Sequence, residues 1–355
     1  MKSKMYLKII ISLCLVALLA LPLLAGCNGD TTEETTTTVV TTTPAETTTP
    51  TPTVTVIKIG ISQVVTHPAL DATRQGVLDA LAANGFVEGE NLEVDYQNSE
   101  GDGALFATIA EKFVADQVDV IVSIATPNSQ AAIAAAEGTD IPVVFTAVTD
   151  PVGSGLISNW ESHPDENATG VSDMIVVSDD IDLILEILPG VATLGTLYNA
   201  GESNSVFLVE KLNEACDARG ITVVEKTVST SADVLTAAQS LVGQVDAIWV
   251  GTDNTVVTGL EALIGVCEDN DIPLFPADED SIVRGGIAAY SFDYYDIGYQ
   301  TGEMVARILS GAAVNTIPVE KGMVISLSVN TAAAERMGVT LPQAVIDRAV
   351  TVYTE

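Results

Sequence analysis

Clusters of hydrogen-bonding side chains recur along this chain, each directly after an apolar run and leading into a helical pattern. Gln63 follows IGIS, Thr126-Pro127-Asn128-Ser129 follows IVSIA, and Thr149-Asp150 follows VVFTAV. Later, Tyr198-Asn199 leads into Glu202-Ser203-Asn204-Ser205, Thr252-Asp253-Asn254-Thr255 follows IWVG, and Asp278-Glu279-Asp280-Ser281 follows LFPA. Any one cluster is accounted for by helix N-capping, which contributes about 1 kcal/mol. Their recurrence points further, because ligands of open parallel sheets bind outside the carboxyl ends of the strands. If two such sheets face each other, the clusters line one shared cleft. Helix N-termini there offer free N–H groups to a carboxylate, and acids offer a partner to a buried cation. A cleft with both suits a zwitterion such as an amino acid. The expected carboxylate partners are Thr126, Ser129 and the N–H groups after Pro127, with Ser203, Asn204 and Ser205 adjoining. Asp253 is the expected ammonium partner, with Glu202 or Asp150 as second choice. Gln63, Tyr198 and Asn254 would shape the site, and Phe145 or Tyr290 would pack on the ligand's side chain.

Catalytic tools are scarce. The chain has two histidines and four cysteines, and contains no GxSxG, HExxH or Walker A string. His67 precedes Pro68 at a helix start on the edge of the expected cleft, either as a ligand contact or as a local group. His163 lies in a polar stretch and reads as solvated. Carboxylate pairs could do acid–base work, but no nucleophile accompanies them. No metal set and no cofactor motif is visible, so the chain reads as a non-enzyme.

The elements that must position these residues alternate regularly. Short apolar runs at 54–62, 92–97, 118–125 and 141–148 read as buried parallel strands. Helical patterns at 68–84, 104–116 and 128–136 separate them, the first with Pro68 at its start and Gly85 after its end. The rhythm restarts with strands at 191–198, 221–228, 245–250, 272–276 and 287–291, and helices at 204–219, 232–241, 256–268 and 294–309. Such alternation means right-handed βαβ units and parallel sheets with helices on both faces. Two series predict two similar lobes, and the polar stretch 160–170 (WESHPDENATG) reads as the first crossing between them. Cys216 and Cys267 have no CxxC partner and read as buried free thiols.

Composition bounds the rest. Of 355 residues, 47% are hydrophobic and 17% charged, which is ample for buried cores and excludes a mostly disordered chain. A formal charge of −34 repels phosphate backbones and anionic lipid, so nucleic acid is excluded as a partner. Lys2, Lys4 and Lys8 precede an apolar run over 9–25, the pattern of an export signal. The run ends in Leu24-Ala25-Gly26-Cys27, which resembles a bacterial lipobox and would make Cys27 the lipidated first residue of the mature chain. Residues 28–55, almost entirely Thr, Pro, Glu and Val, read as an extended tether between membrane and globular part.

Several strings resemble the ABC-transporter substrate-binding protein family whose members include tryptophan and aromatic amino-acid binders. They are HPALDATRQGVLDALAANGFVEGENLEVDYQNSEGD, IVSIATPNSQAA, IPVVFTAVTDPVGSGL, NATGVSD, LYNAGESNS, GQVDAIWVGTDN and RGGIAAYSFDYYDIGYQTGEMVARILSG, in the family's order. The resemblance implies an α/β type I periplasmic-binding fold, with two Rossmann-like lobes, three crossovers and a hinge. It implies lobe one at 56–170 and 290–316 and lobe two at 171–289 and 317–355, after a signal at 1–26 and the lipidated linker 27–55. Ser172 and Asp173 would then lie at a crossing near the cleft. The implied function is a monomeric lipoprotein on the outer face of the cytoplasmic membrane. It would deliver an aromatic amino acid to an ABC permease and its ATPase. An exported sensor of the same fold, signalling to a membrane receptor, is the alternative.

Overall fold

The computed structural model describes residues 56–161, 163 and 166–355. The expected export signal, Cys27 and the tether lie outside the described residues. Among the described residues no helix is long and apolar enough to cross a membrane.

The first series of apolar runs forms strands β1 (Ile57–Gln63), β2 (Leu92–Asn98), β3 (Val120–Ile124), β4 (Val143–Val148) and β5 (Ala168–Ser172). The second forms β6 (Thr193–Asn199), β7 (Thr222–Val228), β8 (Ala247–Val250), β9 (Leu274–Pro276) and β10 (Ala288–Phe292). Three short strands follow: β11 (Glu320–Lys321), β12 (Ile325–Asn330) and β13 (Thr351–Tyr353). One sheet has the order β11-β5-β4-β3-β1-β2, and every pairing in it is parallel. A second has the parallel order β7-β6-β8-β9, and a third the order β10-β12-β13 with β10 antiparallel to β12. The Ile287 N–H donates to the Leu274 carbonyl at 2.8 Å, which joins the second and third sheets into one lobe.

β3 and β4 are buried along their whole length, as continuous Val/Ile-rich runs in the middle of a covered parallel sheet should be. The helix Tyr294–Leu309 packs on the helix Pro68–Ala83 at backbone distance. A Cβ at Gly298 would fall 1.9 Å from the Thr73 carbonyl oxygen, and one at Gly76 would fall 2.2 Å from that of Tyr295. Only glycine permits this crossing. Cys216 and Cys267 are buried free thiols, and burial pushes the Cys216 thiol up to about 11.

Two readings of the polar stretch need correction. Residues 168–170 do not cross between lobes: they open β5, which pairs with β4 in the first sheet, and the chain leaves that sheet only after Ser172. His163 is not solvated but 1% exposed, with Nδ1 at 3.2 Å from the Asn159 carbonyl. The expected helix over 256–268 is also interrupted. It forms as Asn254–Thr258 and Leu260–Asp269, with Gly259 between them against the Ser231 carbonyl.

Candidate ligand-binding site

The carboxyl ends of strands from both lobes converge on one cavity. Beyond β1 come His67, Ala69 and Leu70, beyond β3 Ala125 and Thr126, and beyond β5 Asp173. Ala147 and Thr149 come from the end of β4. The facing lobe supplies Asn204 beyond β6, Thr252, Asp253, Asn254 and Val257 beyond β8, and Asp278 beyond β9, while Tyr294 opens the helix that follows β10 and packs on the first lobe.

Two of these positions carry backbone that is unusual outside glycine. Ala125 has φ 74° and Ala147 has φ 53°, and both residues line the cavity. Such a residue persists only where its surroundings impose it, and such positions gather at ligand sites. Ala147 is also where the β4–β5 register slips, between Thr146 and Val148. The irregular backbone turns Ala147 and Thr149 toward the cleft.

The polar lining is acidic. Asp173, Asp253 and Asp278 all reach the cavity, and no Lys or Arg lines it. Asp173 accepts from the Tyr294 hydroxyl at 2.7 Å and from Thr149 at 3.3 Å. Burial nevertheless pushes its carboxyl up, and burial beside that carboxylate pushes Tyr294 well above the ordinary phenol. Asp253 caps the helix Asn254–Thr258: one oxygen accepts from Val256 N–H at 2.8 Å, the other from Asn199 N–H at 2.6 Å. Burial, reinforced by the Glu202 carboxylate, raises Asp253 to about 7. Asp278 accepts from the N–H and hydroxyl of Ser281 at 2.8 and 2.6 Å. Among the residues that line the cavity, two buried side-chain atoms have no protein partner, His67 Nδ1 and Asn204 Oδ1.

Of the residues expected from sequence, the cavity gathers Thr126, Thr149, Asp173, Asn204, Asp253, Asn254 and Asp278. The others lie behind or beside it. Gln63 is fully buried and donates to the Val65 carbonyl and Asp71. Ser129 bonds Ser123 and the Ala125 carbonyl. Ser172 donates to the Thr149 carbonyl, Ser203 to Ser154, and Tyr198 to Glu225. Asp150 accepts from Gly153 N–H, and Ser205 accepts from Asn204. Glu202 receives the N–H groups and side chains of Asn254 and Thr255, so it braces one helix start against another. Glu202 and Asn254 also edge a wider groove alongside the cavity. Neither aromatic candidate for packing on a ligand lines the cavity. Phe145 is in the core of the first lobe, and Tyr290 lies on β10. Tyr294 is the aromatic residue that lines the cavity, and it is missed by sequence reasoning because it stands after a crossing rather than within a βα cluster. Thr252 was legible beside Asp253, and His67 as the residue before Pro68.

The lobes touch across the cleft. Thr149 and Thr252 hydroxyls are 3.4 Å apart, Ser203 donates to Ser154 at 3.1 Å, and Gln130 donates to Ser203 at 3.4 Å.

Two parallel α/β lobes closed on a cavity at their carboxyl strand ends define a two-lobed solute-binding protein. Residues 58–353 match the family model described as ABC transporter substrate binding protein, and the chain belongs to that family. It is 39% identical over 261 residues to a tyrosine-binding protein of Clostridioides difficile, covering 74% of this chain and 75% of the relative. Among solved structures it resembles a domain in complex with L-Trp from Streptococcus pneumoniae, with 33% identity, TM-score 0.80, and 84% and 100% of the two chains covered. It also resembles the ligand-free, open form of a substrate binding protein with adhesive properties from Clostridium difficile, with 38% identity, TM-score 0.64 and the same coverage. The more identical of these two is the less similar in shape. The lobes here are therefore arranged more as in the liganded relative than as in the open one, in keeping with the bonds across the cleft. Members of this family bind substrate for transport and are not enzymes.

Proposed function

We propose that the protein captures an amino acid with an aromatic side chain in the interlobe cavity and hands it to an ABC permease and its ATPase. The observation that carries this reading is the cavity lining itself. Three carboxylates without a Lys or Arg favour a ligand bearing an ammonium, and Leu70, Val257 and the ring of Tyr294 offer an apolar wall. The tyrosine-binding relative and the L-Trp complex support the aromatic class. We assign the ammonium to Asp253 together with Asn204 Oδ1. We assign the carboxylate to Thr126 and the free N–H groups at the start of the helix Thr126–Ala136. Asp173, Thr149, Asn254 and Asp278 complete the surround.

The same reading places the protein outside the cell as a monomer, with Cys27 lipidated and residues 28–55 as its tether. Stable anchoring takes more than one acyl chain, which a bacterial lipoprotein supplies. Mass spectrometry of the small molecule released on denaturing the purified protein tests the reading. Tyrosine or tryptophan is the expected mass, and a sugar or a nucleoside would overturn it.

A further inference from the structure

We infer that His67 is the specificity-determining residue of the cavity: its Nδ1 accepts a hydrogen bond from a ring hydroxyl or ring N–H of the ligand. This rests on the aromatic amino-acid reading and narrows it to ligands whose ring carries a donor.

His67 occupies the N-cap position of the helix Pro68–Ala83, yet its side chain makes no capping bond. That position usually holds Ser, Thr, Asp or Asn, whose side chain satisfies a free N–H of the first turn. Here the imidazole is turned to the cavity instead, and its Nδ1 is buried without any partner in the protein. A buried polar atom without a partner is costly, so a ligand atom is the natural complement.

The surroundings decide which kind of atom. Burial lowers the imidazole's affinity for a proton and outweighs the Asp278 and Asp71 carboxylates and a hydrogen bond to the Asn254 side chain, while Arg284 acts in the same direction as burial. A neutral ring can present Nδ1 as an acceptor. The two residues that follow His67 into the cavity, Ala69 and Leu70, are apolar. His67 thus stands where the apolar stretch of Ala69 and Leu70 meets Asn254 and Asp278, and its free Nδ1 fits a ring edge carrying one donor. The ammonium has better partners in the carboxylates and in Asn204 Oδ1. A site built around an acceptor discriminates against an analogue lacking the donor, because the acceptor is then left unpaired.

Calorimetric titration of the full chain with L-tyrosine, L-tryptophan and L-phenylalanine tests this, in wild type, His67→Leu and His67→Gln. Wild type should bind tyrosine or tryptophan at least about tenfold tighter than phenylalanine. His67→Leu should erase that preference by weakening the donor-bearing ligands while leaving phenylalanine unchanged or tighter. His67→Gln, which retains an acceptor, should keep part of it. Equal affinity of wild type for all three overturns the inference without any variant, and so does an unchanged preference in a folded His67→Leu. If none of the three binds wild type, the aromatic reading itself fails and this inference falls with it.

Discussion

The hydroxyl of Tyr294 donates to the carboxylate of Asp173 at 2.7 Å, and the two residues stand on different passages of the chain between the lobes. Asp173 follows β5 as the chain leaves the first sheet, and Tyr294 opens the helix that returns after β10. The other carboxylate oxygen faces Thr149, whose hydroxyl meets Thr252 of the opposite lobe. Two passages between the lobes and a contact across the cleft are therefore linked through one buried carboxylate.

Tyr294→Phe removes the donor and leaves a buried acceptor short of a partner. The expected loss is about 1–3 kcal/mol of stability, read from the midpoint of urea unfolding, together with weaker ligand binding. A variant with wild-type midpoint and affinity would show that the link carries no energy.

Asp253 has two roles that separate by substitution. Its oxygens cap the helix Asn254–Thr258 and hold Asn199 N–H, so Asp253→Ala should cost about 1 kcal/mol or more of stability. Asp253→Asn keeps an acceptor for the cap but removes the charge. Its amide NH2 then faces the Asn199 N–H from which the second oxygen had accepted, so we expect it to fold at a cost of about 1–3 kcal/mol and to bind amino acid at least about tenfold more weakly, since bonds to charged groups contribute about 1.5–3 kcal/mol. Unchanged affinity in Asp253→Asn would exclude Asp253 as the ammonium partner.

Buried carboxyls set the pH dependence of stability. Burial raises Asp180 from 3.8 to about 7, against the opposing hydrogen bond from Trp249 Nε1 at 3.2 Å. Asp253 is raised to about 7 and Asp280 to about 6, both chiefly by burial. A raised carboxyl binds its proton more tightly in the folded state. Its stabilisation is complete below the unfolded value near 3.8 and is lost as pH rises through the folded value. Thermal melts should accordingly show the melting temperature falling between about pH 4 and pH 7, and Asp180→Asn should flatten the fall. A melting temperature that climbs over that interval would contradict this assignment.

Much of this was legible in the sequence because the determinants are local. Strand and helix alternation follows from short Val/Ile runs punctuated by capping residues, and Cys216 and Cys267 are unpaired as their spacing suggested. Thr126, Asp253 and Asp278 could be placed at strand ends because the βα rhythm names those ends. What escaped depends on long-range packing. β5 begins within a polar, turn-rich stretch because β4 supplies its partner, and the helix Val177–Ile187 lies between the two series with no polar strand-end cluster to mark it. Glu202 and Ser129 looked like ligand contacts, yet each is satisfied by a neighbour that only the fold brings near. Tyr294 enters the cavity from a crossing, where no strand-end rule reaches.

The proposed anchoring rests on Cys27. Cys27→Ser should leave the chain either uncleaved or free of acyl groups, as read by intact mass and detergent partitioning. A processed and acylated Cys27→Ser protein would refute the lipoprotein assignment.

The proposed occupant of the cavity between the lobes is an aromatic amino acid. Calorimetric titration of ligand-stripped protein with each of the twenty amino acids tests it most directly. Saturable heat at one ligand per chain with tyrosine or tryptophan, and little or none with acidic or basic amino acids, is the predicted result. Saturation by a different class of amino acid, or no heat with any aromatic one, would contradict it.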